Sequence, residues 1–314
     1  MVSIDTFLIA LYVQIDDFCK QNPPAFNEQT LWACGRKRAL SRSEVATLSI
    51  FGQWYRFRSE RDFWRFCKER LLGLFPDLPD RSEFVRAQQR FEPTVVAFGL
   101  DLAQLLGAEH APYEVIDRCG VATRMCGRRG RDWLGGFANK GLCGRLGFFY
   151  GFQLMVSATD EGVISGFGFA PGSTKDQPMA ESLFVARYGD GPKLHSAGKG
   201  ARERCYVVDK GFSGPRRKRL WKQRYGATVV GASQKGHGPL LPSEWEEWVC
   251  RIRQIIETVH DKLVNFFRLG TERPHAIQGF QVRLAAKVAL HNFCIWLNRC
   301  LERPSLQFSD LLGW

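Results

Sequence analysis

From Pro112 onward the chain alternates short apolar runs with longer stretches of helical period, and this alternation restricts it to one class of fold. Residues 113–121, 148–158, 163–171, 205–209 and 227–232 read as strands, rich in Val, Ile, Phe and Tyr. Thr159-Asp160-Glu161-Gly162 joins the second and third as a hairpin turn. Residues 176–186, 213–225, 245–269 and 276–301 read as helices, with Ser213 the expected N-cap of the second. The order β-β-β-α-β-α-β-α describes a mixed sheet flanked by helices, an α/β architecture.

Residues 1–107 carry a different pattern. Phe7, Leu8, Leu11, Tyr12, Ile15 and Phe18 repeat at helical spacing, and Ser41 with Glu44 three positions on predicts a capping box. Further helices are expected over 60–75, closed by Pro76-Asp77-Leu78-Pro79, and over 81–106. The reading is an all-helical N-terminal domain at 1–107, for DNA binding or for packing on the core, followed by a sheet domain at 108–314.

Net charge is +12 over 314 residues, and its distribution is more informative than its size. Residues 116–150 hold seven Lys/Arg against two Asp, and residues 199–235 hold eleven against two acids. The first hundred residues are nearly balanced, with fourteen bases and twelve acids. Two basic segments of this density suit a polyanion such as DNA. No apolar run approaches the ~18 residues of a membrane span, and the N-terminus lacks the basic and apolar regions of a secretory signal. The ten cysteines are scattered without a C-x-x-C pair, as reduced thiols would be. A cytoplasmic protein is expected.

Both basic segments carry an aspartate at the end of an apolar run: Asp117 after Tyr113-Glu-Val-Ile, and Asp209 after Cys205-Tyr-Val-Val. In open α/β sheets, sites form at the carboxyl ends of strands. A third acid, Glu257, sits on a helix whose Ile252, Ile256, Val259, Leu263 and Phe266 form an apolar stripe, while Arg253, Glu257 and His260 form a polar one beside it. Three convergent carboxylates repel one another without a cation. With Mg²⁺ or Mn²⁺ they form a set of hard oxygen ligands for phosphodiester chemistry.

These residues resemble the bacterial insertion-sequence transposases of the DDE type. Val115-Ile-Asp117 is similar to the first-aspartate strand, and Gly172-Ser-Thr-Lys-Asp176 to the turn after the hairpin. Val208-Asp209-Lys210-Gly211-Phe212 is similar to the second-aspartate motif, and Arg253-x-x-x-Glu257-Thr-Val to the third-carboxylate helix. The resemblance implies a ribonuclease-H-like catalytic core over 108–314. It also implies metal binding and catalysis by Asp117, Asp209 and Glu257, with Lys210 and Arg253 contacting DNA phosphate or orienting the carboxylates. Arg128, Arg129 and Arg131 in the first basic segment, and Arg216, Arg217, Lys218 and Arg219 in the second, join that DNA-binding set. The implied partners are inverted-repeat ends and target duplex, handled by a homodimer. Four positions depart from the pattern: Arg118 replaces Ser or Thr, Gln153 and Met155 replace a Lys-x-His pair, and Cys250 replaces Tyr.

Other acids and aromatics read more plainly. Asp176 is expected to cap the helix it precedes, and His260 to be a partnered polar neighbour, with proton transfer as its alternative. Trp245 and Trp248 are expected to pack at the start of their helix, with stacking on an unpaired base as the alternative. The competing readings of the whole chain are a non-catalytic or degenerate transposase-derived DNA-binding protein, and a structure-specific nuclease with the same core.

Overall fold

A computed structural model describes residues 1–23, 39–57, 59–124, 134, 136–189, 203–212, 214–231 and 242–312. They divide into two compact units, Met1–Leu102 with Ala276–Trp314, and Ala103–His275.

The first unit is helical. Helix α1 (Ile4–Gln21) is capped by Ser3, whose hydroxyl accepts from the Thr6 amide, and buries Phe7, Leu8, Leu11, Ile15 and Phe18. Helix α2 (Arg42–Trp54) has both halves of the expected capping box, Glu44 N–H to Ser41 Oγ and Ser41 N–H to a Glu44 carboxylate oxygen. Helix α3 (Glu60–Arg70) ends earlier than expected. The single helix expected over 81–106 is two, α4 (Arg81–Arg90) and α5 (Glu92–Leu105), interrupted at Phe91. Pro93 accounts for the break, since it has no N–H to donate and its ring clashes with the preceding turn.

The last helix of the chain, written α10 (Ile277–Cys300), belongs to this unit, whereas the sequence reading grouped it with the sheet. Its middle is buried on all sides, as the central helix of a bundle must be. Two of its buried polar side chains are paired: Lys287 Nζ donates to Gln53 Oε1 at 2.7 Å, and Asn292 donates to the Gly99 carbonyl at 2.9 Å. Gly99 allows this approach, because a Cβ there would lie 3.3 Å from Ala289.

The second unit is mixed α/β, a curled sheet with helices on its faces. Its strands are β1 (Glu114–Arg124), β2 (Asn139–Cys143), β3 (Gly147–Thr159), β4 (Ile164–Pro171), β5 (Arg204–Val208) and β6 (Ala227–Gly231). The order is β2-β3-β1-β5-β6, with β4 also on β3. Strand β3 is antiparallel to β1, β2 and β4, whereas β1–β5 and β5–β6 are parallel. The hairpin turn forms where expected: Thr159 Oγ1 accepts from the Glu161 and Val163 amides, and Gly162 takes φ +81°. Strand β2 has no counterpart in the sequence reading. Gly141 makes it possible, because a Cβ there would lie 2.4 Å from the Gly172 carbonyl oxygen.

Between the strands run α6 (Asp176–Tyr188) and α7 (Pro215–Tyr225), and α8 (Ser243–Ile252) and α9 (Gln254–Asp261) follow the last strand. Helix α7 starts from Gly214; Ser213 lies outside the described residues. Its Trp221 and Tyr225 pack with Phe184 of α6 and with Ile116, Tyr206 and Val208 of the sheet. On the opposite face α9 packs over β1 and β3.

Helix α9 runs into a π-helical turn, Lys262–Phe266, closed by the Phe267 amide on the Lys262 carbonyl at 2.8 Å. The extra residue in that turn shifts the apolar stripe. Ile256, Val259 and Leu263 are buried as expected, but Phe267 takes the buried place assigned to Phe266, which is only half-buried. Among the described residues, no helix is long and apolar enough to cross a membrane.

Candidate active site

Alternation along β1 sends successive side chains to opposite faces of the sheet. Glu114 and Ile116 face α6 and α7, and Val115 and Asp117 face α9. Strands β1 and β5 are parallel, and their pairing ends with Ile116 opposite Val208. The next residue on each is an aspartate. Asp117 and Asp209 therefore emerge side by side, on strands spaced about 4.8 Å apart, at the carboxyl end of β5. Strand β1 runs on to Arg124 with that edge open.

An open pocket of about 590 Å³ lies there. It is lined by Asp117 and Asp209, by Arg253, Glu257 and His260, and by Val264 and Asn265 of the π-helical turn. The three expected carboxylates thus share one pocket with the expected arginine. Arg253 stands at the joint between α8 and α9 and spans both aspartates: Nη1 is 3.0 Å from Asp209 Oδ1, and Nη2 is 3.7 Å from Asp117 Oδ2. The Asp117 carboxylate also accepts the Arg118 amide at 2.8 Å. Burial pushes the Asp117 carboxyl up to about 6; nearby Asp209 and Glu257 push the same way, against the Arg118 amide and Arg253.

The pocket contains residues the sequence reading placed elsewhere. Asp176 is the first residue of α6 and makes no capping bond. Its carboxylate is in close ion contact with Arg118, whose Nη1 also donates to the Thr174 carbonyl at 2.9 Å. The helix start lacks a side-chain cap because the N-cap position falls on Lys175, whose side chain has no acceptor. Gly211 accommodates the Asp176 carboxylate on the other side: a Cβ at 211 would meet Asp176 Oδ2 at 2.4 Å. Arg145 and the free thiols Cys119 and Cys143 complete the wall. Alternation turns Arg118 away from Asp117, so strand period alone gave no sign that both line one pocket.

His260 differs from expectation. Its Nε2 is buried without a hydrogen-bond partner, and burial, aided by Arg145, lowers its imidazole to about 4. Trp248 packs edge-on against Tyr113 at 5.5 Å, but Trp245 is 55% exposed. Trp245 lies in the first turn of α8, and the burial of this helix begins a turn later, at Val249.

Of the expected DNA contacts, Arg128, Arg129 and Arg131 lie outside the described residues. Lys210 opens the 3₁₀ turn Lys210–Phe212 that follows Asp209. On α7, Arg216 and Arg219 are exposed, Lys218 is half-buried, and Arg217 donates to Gln177 Oε1 at 2.7 Å.

Comparison with protein-family models, with curated proteins and with solved structures returned no match.

Proposed function

We propose that this chain is a DDE-type transposase with a ribonuclease-H-like core, cutting DNA at the ends of an insertion sequence and joining the freed strand to a target. The observation that carries this reading is the placement of Asp117 and Asp209 on adjacent parallel strands, each one residue past the last register pair, with Arg253 and Glu257 lining the same pocket. Further support is the path β4-β3-β1-β5-β6, antiparallel in its first half and parallel in its second.

Asp117, Asp209 and Glu257 would hold magnesium, or manganese. The donor set fits a hard divalent cation, since it offers the carboxylate oxygens of three acids lining one pocket. Among the described residues no three such groups form a preformed metal cage, and Arg253 lies between two of the acids. When bound, the metal supplies charge neutralisation at the entering and leaving oxygens of the phosphodiester.

The remaining work is positioning and electrostatics. Arg216 and Arg219 on the exposed side of α7, with Lys210 beside Asp209, would track the phosphate backbone. The helical unit is assigned to DNA binding or to packing on the core, and a homodimer would bring two element ends together. A cytoplasmic location follows from this reading.

A strand-transfer assay with Mg²⁺ and duplex carrying the element's ends tests the proposal. Asp209→Asn is expected to abolish product while the protein remains folded. Undiminished product from that variant would falsify the mechanism. Free 3′-hydroxyl ends that never join a second duplex would indicate a nuclease, and DNA binding without cleavage under any metal would indicate a non-catalytic descendant.

A further inference from the structure

The acids of the pocket already have a cation, and it belongs to the chain. Asp117, Asp209 and Glu257 carry three negative charges when ionised, and the guanidinium of Arg253 carries the positive charge that lies on two of them. Among the described residues, the other cations that line the pocket are engaged: Arg118 is held by Asp176 and the Thr174 carbonyl, and Arg145 donates to the Gly120 carbonyl at 2.9 Å. Arg253 is 18% exposed, and its Nε is buried without a hydrogen-bond partner. Among the described residues, its hold on the site therefore rests on the two carboxylates. It also sits where α8 gives way to α9, a joint in the helix and not a mid-helix position.

A divalent ion and a guanidinium compete for the same carboxylate oxygens. We propose that Arg253 is the resident counter-cation of this site and that an incoming metal must displace it from Asp117 and Asp209. The proposal rests on the metal-dependent reading above. It adds that metal affinity is set partly by an internal competitor: Arg253 lowers the cost of three adjacent acids before the metal arrives, and weakens the metal's binding when it does.

Calorimetric titration of the full chain with Mn²⁺, in the absence of DNA, tests this directly. Arg253→Gln is expected to bind Mn²⁺ about tenfold more tightly than the wild type, as the loss of one competing charge pair implies. Arg253→Lys, a point charge that cannot fork across both acids, is expected to fall between them. Should the glutamine variant fail to fold by circular dichroism, the lysine variant carries the comparison. Asp209→Asn is the control. If the wild type binds no Mn²⁺, or binds it as well as Asp209→Asn does, the metal site falls and the proposed reaction with it. If wild-type binding depends on Asp209 but neither Arg253 variant binds more tightly, the displacement alone is overturned.

Discussion

Ile116 and Val208 are register partners on parallel strands, and the aspartate after each is placed by that pairing. Asp117 and Asp209 are 92 positions apart in the chain, yet they need no loop to bring them together. Strand pairing does so, and the acids inherit the rigidity of the sheet's centre.

That rigidity has a thermodynamic cost at Asp117. Its folded carboxyl is raised to about 6 from an ordinary 3.8, so between those values the folded state binds more protons than the unfolded. Stability of the metal-free protein therefore falls as pH rises through this interval. Asp117→Asn is expected to be more stable than wild type near neutral pH, by roughly 2–3 kcal/mol, and to converge with it near pH 4. Urea unfolding in EDTA across that range measures the difference; a constant gap between the two proteins would contradict it.

Three residues earlier on the same strand, Glu114 shows the opposite sign. Its carboxylate is 3% exposed and meets Arg187 at 2.7 Å, Arg204 at 2.8 Å, and the Ser157 and Ser165 hydroxyls. Burial raises its carboxyl, but Arg187 and the hydroxyls outweigh it, and the net shift is downward. The stabilisation is present above the ordinary glutamate range and is lost as pH falls through the folded value. Glu114→Gln leaves two arginines without their partner and is expected to cost about 3–5 kcal/mol near neutral pH. The variant's stability should also vary less with pH in acid than the wild type's, as read from thermal melts.

Gly151 packs where no side chain fits. A Cβ there would lie 2.1 Å from the Val121 carbonyl oxygen and 2.9 Å from the Thr123 nitrogen, beside the irregularity between Ala122 and Arg124. Gly151→Ala is expected to destabilise the sheet unit by about 1–3 kcal/mol through overpacking. A denaturation midpoint equal to wild type would show that β1 and β3 can part there at no cost.

The exposed arginines of α7 give a prediction about affinity. Each phosphate contact contributes about 0.9 to the slope of log K against log salt. Removing Arg216 and Arg219 together should lower the slope for duplex DNA by about 2. An unchanged slope, measured by fluorescence anisotropy, would place the DNA elsewhere.

Much of the sheet unit was legible because burial and strand alternation are local. The Val-Ile-Asp and Val-Val-Asp runs, the hairpin and the stripe through Ile256, Val259 and Leu263 needed only neighbouring residues to be read. Features set by distant contacts were not. Strand β2 exists because glycines let it close on the β4 end, and its own residues carry no alternation. The displacement of Phe266 by Phe267 follows from a π-helical turn that periodicity assumes away. The engagement of Asp176 with Arg118 depends on a partner 58 positions earlier, and so reads locally as a cap. The grouping of α10 with the first five helices was hidden for the same reason.

Glu114 and Asp117 lie three residues apart on β1 and look to opposite sides of it. One inserted or deleted residue between them would put both on one face: the acid that anchors two arginines would turn away from them, or the acid of the pocket would turn into the core. The segment Glu114-Val-Ile-Asp117 is therefore indivisible, and a change of spacing by a single residue would remove the keystone of the sheet or the pocket acid beside it.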